Sequence, residues 1–515
     1  MIRSAQRLNS PHPGSGHIAI CPDIELAMTK ELVRVQSGVP GLDTILCGGL
    51  VKGAAYIVQG SPGAGKTILA NQIAFNQTRD GGRALYVTLL AESHDRLFQA
   101  LSMFDFYDPS AVGRDLFYIS LFKVLREEGL AALVNALRSE LARHHCTTLV
   151  LDGLLIAKDK AESALDVKTF VAELQSHTAF TGCTVLFLTS APIDDVSPEH
   201  TMVDGVIQLK EELVGIRTVR QLRISKSRGS AALGGLHQYR ISETGIDVYP
   251  RLEALLGTPS SEEWLRDERI ATGVHGLEQL IGGGLPPAAV TLLMGPAGSG
   301  KTTFGLNFLS LATPEKPALY FGFYESPQRL KAKGRALGID LEALERAGAL
   351  IILWNPMTEN LLDSLGHQLL DTVRQRRVHR LFIDGMTGFE RAAVYPARLS
   401  EFYTALTNEL RALGVSSVAT LEMRDLNGLA GTDPLPEFTS LMDNLVLLRQ
   451  AGMHGELRRF IGVVKMRDSA FDTAFHNVVI GPGGLQVANR LIIPGDTVDK
   501  DAGIASPSVQ APSGA

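Results

Sequence analysis

The chain has only four cysteines in 515 residues, and Cys21, Cys47, Cys146 and Cys183 lie far apart without forming a CxxC pair. That spacing indicates neither a zinc site nor a disulfide framework and fits a reducing compartment. Long apolar runs are missing too, and no uninterrupted stretch approaches the length that spans a bilayer. The first twenty residues, MIRSAQRLNSPHPGSGHIAI, carry Pro and Gly where a secretory leader needs its apolar segment. A soluble, cytoplasmic protein with no membrane attachment is expected. A large excess of either charge is also lacking. The chain holds 49 Lys plus Arg against 55 Asp plus Glu, which leaves no broad cationic footprint for nucleic acid or an anionic membrane.

What the chain does have is an internal repeat. RVQSGVPGLDTILCGGLVKGAAYIVQGSPGAGKT (34–67) and RIATGVHGLEQLIGGGLPPAAVTLLMGPAGSGKT (269–302) match in order without gaps. A length of 515 residues exceeds one ordinary core and suits two. We therefore expect domains over 31–251 and 262–490, a polar linker at 252–261, a weakly ordered segment over 1–30 and a disordered tail over 491–515, where Pro, Ser, Ala and Gly recur without periodicity. Within each repeat, short β-branched runs alternate with helix-period segments such as 130–145. AAYIVQG, RALYVTLL, LFYISL, TTLVLDG and TVLFLTS read as strands, as do VTLLMG, ALYFGFY, LIILWN, RLFIDG and SSVATLE. GVIQLK and NLVLLR then open groups of antiparallel-looking strands. The fold class expected is α/β: two tandem domains, each a mostly parallel sheet flanked by helices with a C-terminal antiparallel extension.

Gly60, Ser61, Pro62, Gly63, Ala64, Gly65, Lys66, Thr67 and Ile68, and likewise Gly295, Pro296, Ala297, Gly298, Ser299, Gly300, Lys301, Thr302 and Thr303, follow a strand and open a helix. Glycines at this spacing let successive N–H groups turn toward phosphate oxygens, and the helix N-terminus favours negative charge. Lys66 and Lys301 would neutralise the terminal phosphates of ATP, and Thr67 and Thr302 would ligate Mg²⁺. Asp152 and Asp384, ending buried strands, either reach the metal's water shell or cap the turn that follows. Lys226 with Arg228, and Lys465 with Arg467, project in pairs from one strand face. They read either as transition-state cations or as edge-strand charges that prevent aggregation.

With these motifs in place, residues 34–487 resemble the KaiC family of tandem RecA-like ATPases and autokinases. The resemblance rests on the SGVPGLD and TGVHGLE leaders, both phosphate loops, Asp152, Asp384 and the two KxR pairs. It implies a homohexameric double ring with ATP between adjacent protomers, the KxR pairs acting in trans, and a clock-type or signalling switch with a KaiB-like or other signalling protein as partner. Glu92 and Glu325 stand where such ATPases carry the water-activating carboxylate, although a glutamate there also suits a helix cap. The family has two adjacent glutamates at this point, whereas this chain reads Ala91-Glu92 and Tyr324-Glu325, which implies slow hydrolysis. Thr439 and Ser440 match the family's phosphorylated pair in reversed order, and the alternative is an unmodified turn. A recombinase-like, DNA-stimulated ATPase and an ATP-assembled scaffold are the competing readings.

Overall fold

The computed structural model describes residues 32–90, 94–159, 163–190, 198–260, 268–423, 436–453 and 455–491. The expected weak N-terminal segment, Glu92 and the expected tail beyond 491 lie outside these residues. The chain forms two compact units, one of Met1–Lys210, Arg223–Ala232 and Ile241–Asp247, the other of Glu211–Leu222, Leu233–Arg240 and Val248–Ala515.

The first repeat supplies strands β1 (Ala55–Gly60), β2 (Ala84–Thr88), β3 (Leu116–Ser120), β4 (Thr148–Asp152) and β5 (Thr184–Thr189), followed by β6 (Gly205–Val214), β7 (Arg217–Ser227), β8 (His237–Ser242) and β9 (Gly245–Tyr249). They form one sheet in the order β9-β8-β7-β6-β1-β5-β4-β2-β3. The second repeat supplies β10 (Val290–Gly295), β11 (Ala318–Gly322), β12 (Leu350–Trp354), β13 (Arg380–Asp384), β14 (Ser416–Glu422), β15 (Asn444–Met453), β16 (Glu456–Met466), β17 (His476–Gly481) and β18 (Gly484–Arg490). Their order, β12-β11-β13-β14-β10-β15-β16-β17-β18, repeats the first sheet strand for strand.

Near-continuous apolar strands are what a sheet covered on both faces requires. In β10, Val290, Leu292 and Met294 join a core with helices Leu362–Arg376 and Leu399–Ala412. Leu293, pointing the other way, packs with Phe304, Leu306 and Phe308 of helix Lys301–Ser310. Each such side chain, fully buried, contributes about 1.5–3 kcal/mol. In the first sheet, Ile57, Val87, Leu151 and Phe187 pack against helices Phe122–His144 and Ala164–Thr181. The expected helix over 130–145 begins just past a break, because Gly129 adopts φ 86° inside Phe122–His144 and splits it into two segments; a side chain there would be strained. Helix Ala164–Thr181 starts with a reciprocal Ser163–Asp166 capping box and ends on left-handed Gly182, as cap chemistry favours.

One strand of each extension differs from its antiparallel appearance. β15 pairs parallel with β10, from Thr291↔Asn444 to Met294↔Leu447, and β6 pairs parallel with β1. Antiparallel pairing in the second sheet starts with β16. An aspartate marks the strand entrance: the Asp443 carboxylate accepts from the Val290 N–H at 2.8 Å while its own N–H donates to the Val290 carbonyl. Asp204 does the same to Ala55.

Arg398 in the second unit makes two bidentate pairs, at 2.8 and 2.9 Å to Glu253 and 2.9 and 3.2 Å to Asp363, whose side chain is fully buried. Among the described residues no helix is long and apolar enough to cross a membrane.

Candidate phosphate-binding sites

Each phosphate loop leaves the C-terminal end of a central strand, where open α/β sheets place their ligand crevice. Gly60 and Gly295 are required by the neighbouring strand, since a Cβ would lie 2.3 Å from the Leu209 carbonyl in one case and 2.4 Å from that of Leu448 in the other. Gly65 and Gly300 cap the following helices in the left-handed region, at φ 89° and 106°, with no side chain on the free N–H groups. That leaves a donor-rich helix end with open space beside Gly63, which fits a polyphosphate. In the second loop the fully buried Ser299 Oγ has no hydrogen-bond partner.

Lys66 Nζ donates to the Gly60 and Ser61 carbonyls at 2.8 and 2.9 Å; Lys301 Nζ donates to Gly295 and Pro296 at 2.7 Å each. Burial lowers the pKa of both ammonium groups, opposed at Lys66 by the charge of Asp152. Thr302 donates its hydroxyl to Asp384 Oδ2 at 3.1 Å, and Thr67 to Asp152 Oδ2 at 3.4 Å. The loop hydroxyl and the strand carboxylate therefore share a point, as a Mg²⁺ with its waters would need.

Three residues missed in the sequence complete this arrangement. The Tyr86 hydroxyl donates to Asp152 at 2.6 Å, and the Tyr320 hydroxyl to Asp384 at 3.1 Å, while Thr420 reaches the other Asp384 oxygen at 3.1 Å. Burial raises the Asp384 pKa against the pull of the Tyr320, Thr302 and Thr420 hydroxyls. The tyrosines occupy matching positions in β2 and β11, which pair directly with the aspartate strands; their recurrence in the two repeats was the available signal.

Glu325 precedes helix Pro327–Ala336 and accepts from Lys333 Nζ at 2.9 Å, so its carboxylate is engaged. Tyr324 lies against Gly385, where a Cβ would come 2.3 Å from its ring.

The KxR pairs are held away from the phosphate loop of their own repeat. Met466 pairs with Asn444 and Asn444 with Thr291, four residues before Gly295. At about 3.3 Å per residue this places Lys465 and Arg467 some ~13 Å toward the opposite end of the sheet. Lys465 Nζ donates to the Met442 and Ser440 carbonyls, and Arg467 pairs with Asp443 at 3.2 Å. Lys226 likewise donates to the His200 and Thr201 carbonyls, and Arg228 lies 3.8 Å from Asp204. Thr439 and Ser440 belong to the 3₁₀ turn Glu437–Leu441, at the same end as Lys465. Thr439 is buried, and exposed Ser440 donates its hydroxyl to the Glu437 carbonyl.

A family model described as KaiC ATPase matches this chain twice, over residues 35–253 and 270–491. The chain is 26% identical over 478 residues to the circadian clock oscillator protein KaiC of Thermostichus vulcanus, covering 89% of this chain and 90% of that protein. The same figures hold for the KaiC of Thermosynechococcus vestitus. Identity to the KaiC of a Picosynechococcus species is 25% over 474 residues, with the same shares covered.

Proposed function

The chain belongs to the KaiC family of ATPases, and from that premise we propose a hexameric, cytoplasmic, nucleotide-driven switch of the signalling or clock type. Both repeats, taken as domains over 31–251 and 262–490, bind ATP with Mg²⁺, and the second also transfers phosphate to Ser440 or Thr439. Bound ATP supplies the transferable γ-phosphoryl group. Gly60–Thr67 and Gly295–Thr302 cradle it, Lys66 and Lys301 counter its charge, and Thr67 with Asp152, and Thr302 with Asp384, hold the metal.

The observation that carries this reading is the meeting of loop hydroxyl and strand carboxylate at 3.1 Å in the second repeat. Assembly in rings is supported by the sheet register. Lys465, Arg467, Thr439 and Ser440 lie at the end of the sheet away from their own phosphate loop, so they serve a γ-phosphate only if it belongs to a neighbouring copy. Lys226 and Arg228 take the same role at the first site. Exposed Ser440 is the better acceptor, and buried Thr439 requires the turn to open. Glu325, and Glu92 at the matching sequence position, assist the nucleophile. A KaiB-like or other signalling protein is the partner class.

A second reading, ATP as an assembly ligand without turnover, is favoured by Tyr324 and by the engagement of Glu325 with Lys333. One experiment separates them: sizing of the full chain with and without ATP, together with phosphate release and phosphosite mapping. We expect ATP-dependent six-copy particles, release above a Lys66→Ala, Lys301→Ala control, and modification at Ser440 before Thr439. Assembly without release selects the second reading; release without modification removes the kinase activity.

A further inference from the structure

The second phosphate site has a carboxylate with no counterpart at the matching point of the first. Strand β14 is buried from Ser416 to Leu421 and ends on exposed Glu422. Glu422 pairs with Gly295, the last residue of β10 and the first of the phosphate loop, and the next N–H, of Met423, donates to the Gly295 carbonyl at 3.1 Å. Neighbouring strands lie about 4.8 Å apart, and Lys301 Nζ rests on that same Gly295 carbonyl. The Glu422 side chain thus stands at the mouth of the crevice beside the lysine meant for the terminal phosphates. Thr420, two residues earlier and so on the same face of β14, donates to Asp384 Oδ1 at 3.1 Å, which puts Glu422 on the face that carries the metal-site carboxylate. The Tyr324 ring, which occupies the place of a family glutamate, lies against Gly385, the residue after Asp384. In the first sheet, Gln59 pairs with Thr189, so Ser190 follows at the level of Gly60.

We propose that Glu422 is the carboxylate that orients and deprotonates the nucleophile at the second site, in the role left open at Tyr324. The inference rests on the ATPase reading above. In hydrolysis, the water oxygen bonds to the γ-phosphorus as the bond from that phosphorus to the bridging oxygen breaks. The bridging oxygen departs with its electron pair on ADP, and the water proton passes to a Glu422 oxygen and then to solvent. A carboxylate reaching in from β14 replaces one from the segment after β11, so the nucleophile is approached from the other side of β13.

The test compares Glu422→Gln, Glu422→Asp and Lys301→Ala full-length chains with the parent. It measures ATP affinity, single-turnover hydrolysis and the nucleotide recovered from the protein after incubation. The turnover that Lys301→Ala removes defines the second site's share. A positioned base contributes about 10²–10⁴-fold, so we expect Glu422→Gln to lose that share by about 100-fold or more. It should bind ATP at least as tightly as the parent, since a negative charge beside the γ-phosphate is gone, and it should retain ATP where the parent retains ADP. Glu422→Asp, with the carboxylate set back, should retain part of the rate. A Glu422→Gln rate within twofold of the parent, or a rate loss fully explained by weakened ATP binding, overturns the proposal. A parent with no turnover beyond Lys301→Ala overturns both this proposal and hydrolysis at the second site, and is told apart because the parent itself fails.

Discussion

Replacing Tyr320 with Phe removes one oxygen from a side chain with no exposed surface and leaves its ring packing intact, including the contact with Phe382 at 5.9 Å. What changes is the Asp384 carboxylate. Its Oδ2 keeps Thr302 and its Oδ1 keeps Thr420, each at 3.1 Å, but the 3.1 Å bond from the tyrosine is gone. A hydrogen bond to a charged group contributes about 1.5–3 kcal/mol, and a buried acceptor left short of partners carries that cost. Burial already raises the Asp384 pKa, with the tyrosine bond the first of the effects that oppose it. Phe at this position therefore makes the ionised form harder still to reach. Since outer partners of a metal-binding carboxylate contribute about 10–100-fold to affinity, the Mg²⁺ concentration for half-maximal ATP binding should rise by that factor. The assays are a Mg²⁺ titration of a fluorescent ATP analogue and the denaturant midpoint of the nucleotide-free protein. An unchanged Mg²⁺ midpoint with stability altered by less than about 0.5 kcal/mol refutes the assignment of Tyr320 to Asp384.

Three further outcomes follow from packing and charge. Gly305→Ala puts a methyl group 2.1 Å from the buried Phe382 ring and should cost about 1–3 kcal/mol through overpacking; a melting curve like the parent's would disprove that contact. Arg398→Ala strands the carboxylates of Glu253 and Asp363 and should destabilise the second repeat by about 3–5 kcal/mol, read as early protease cleavage there. Alkylation at pH 8 should modify exposed Cys47 and spare Cys146, whose thiol burial pushes up to about 11, and Cys183, raised by burial still further; rapid labelling of either buried thiol in peptide mapping would contradict their enclosure.

The ten strands of the two parallel cores were legible because each is a short apolar run ending in a residue of different character: Gly60, Asp152, Gly295, Asp384. Strand order and register were not, since they depend on pairing between distant segments. Without the register, Tyr86 and Tyr320 read as core residues, and nothing connects Glu422 to Gly295. The parallel course of β6 and β15 escaped for a related reason, because the polar entrances Asp204 and Asp443 look like loop residues until they are seen bonded to Ala55 and Val290. Lys465 and Arg467 were legible as two cations close in sequence, but Arg467 lies just past β16, which ends at Met466, and sequence could not say which end of the sheet they occupy.

Lys66 and Lys301 each rest on two carbonyl oxygens of their own loop. An incoming phosphate therefore meets an ammonium group that already has acceptors, and its capture is an exchange of partners in which the measured affinity reflects only the difference between the two sets. The same arrangement works in the outward direction. On the proposed function, a lysine that has lost its phosphate partner returns to two carbonyl acceptors of its own loop, so release of the anion does not strand a cation.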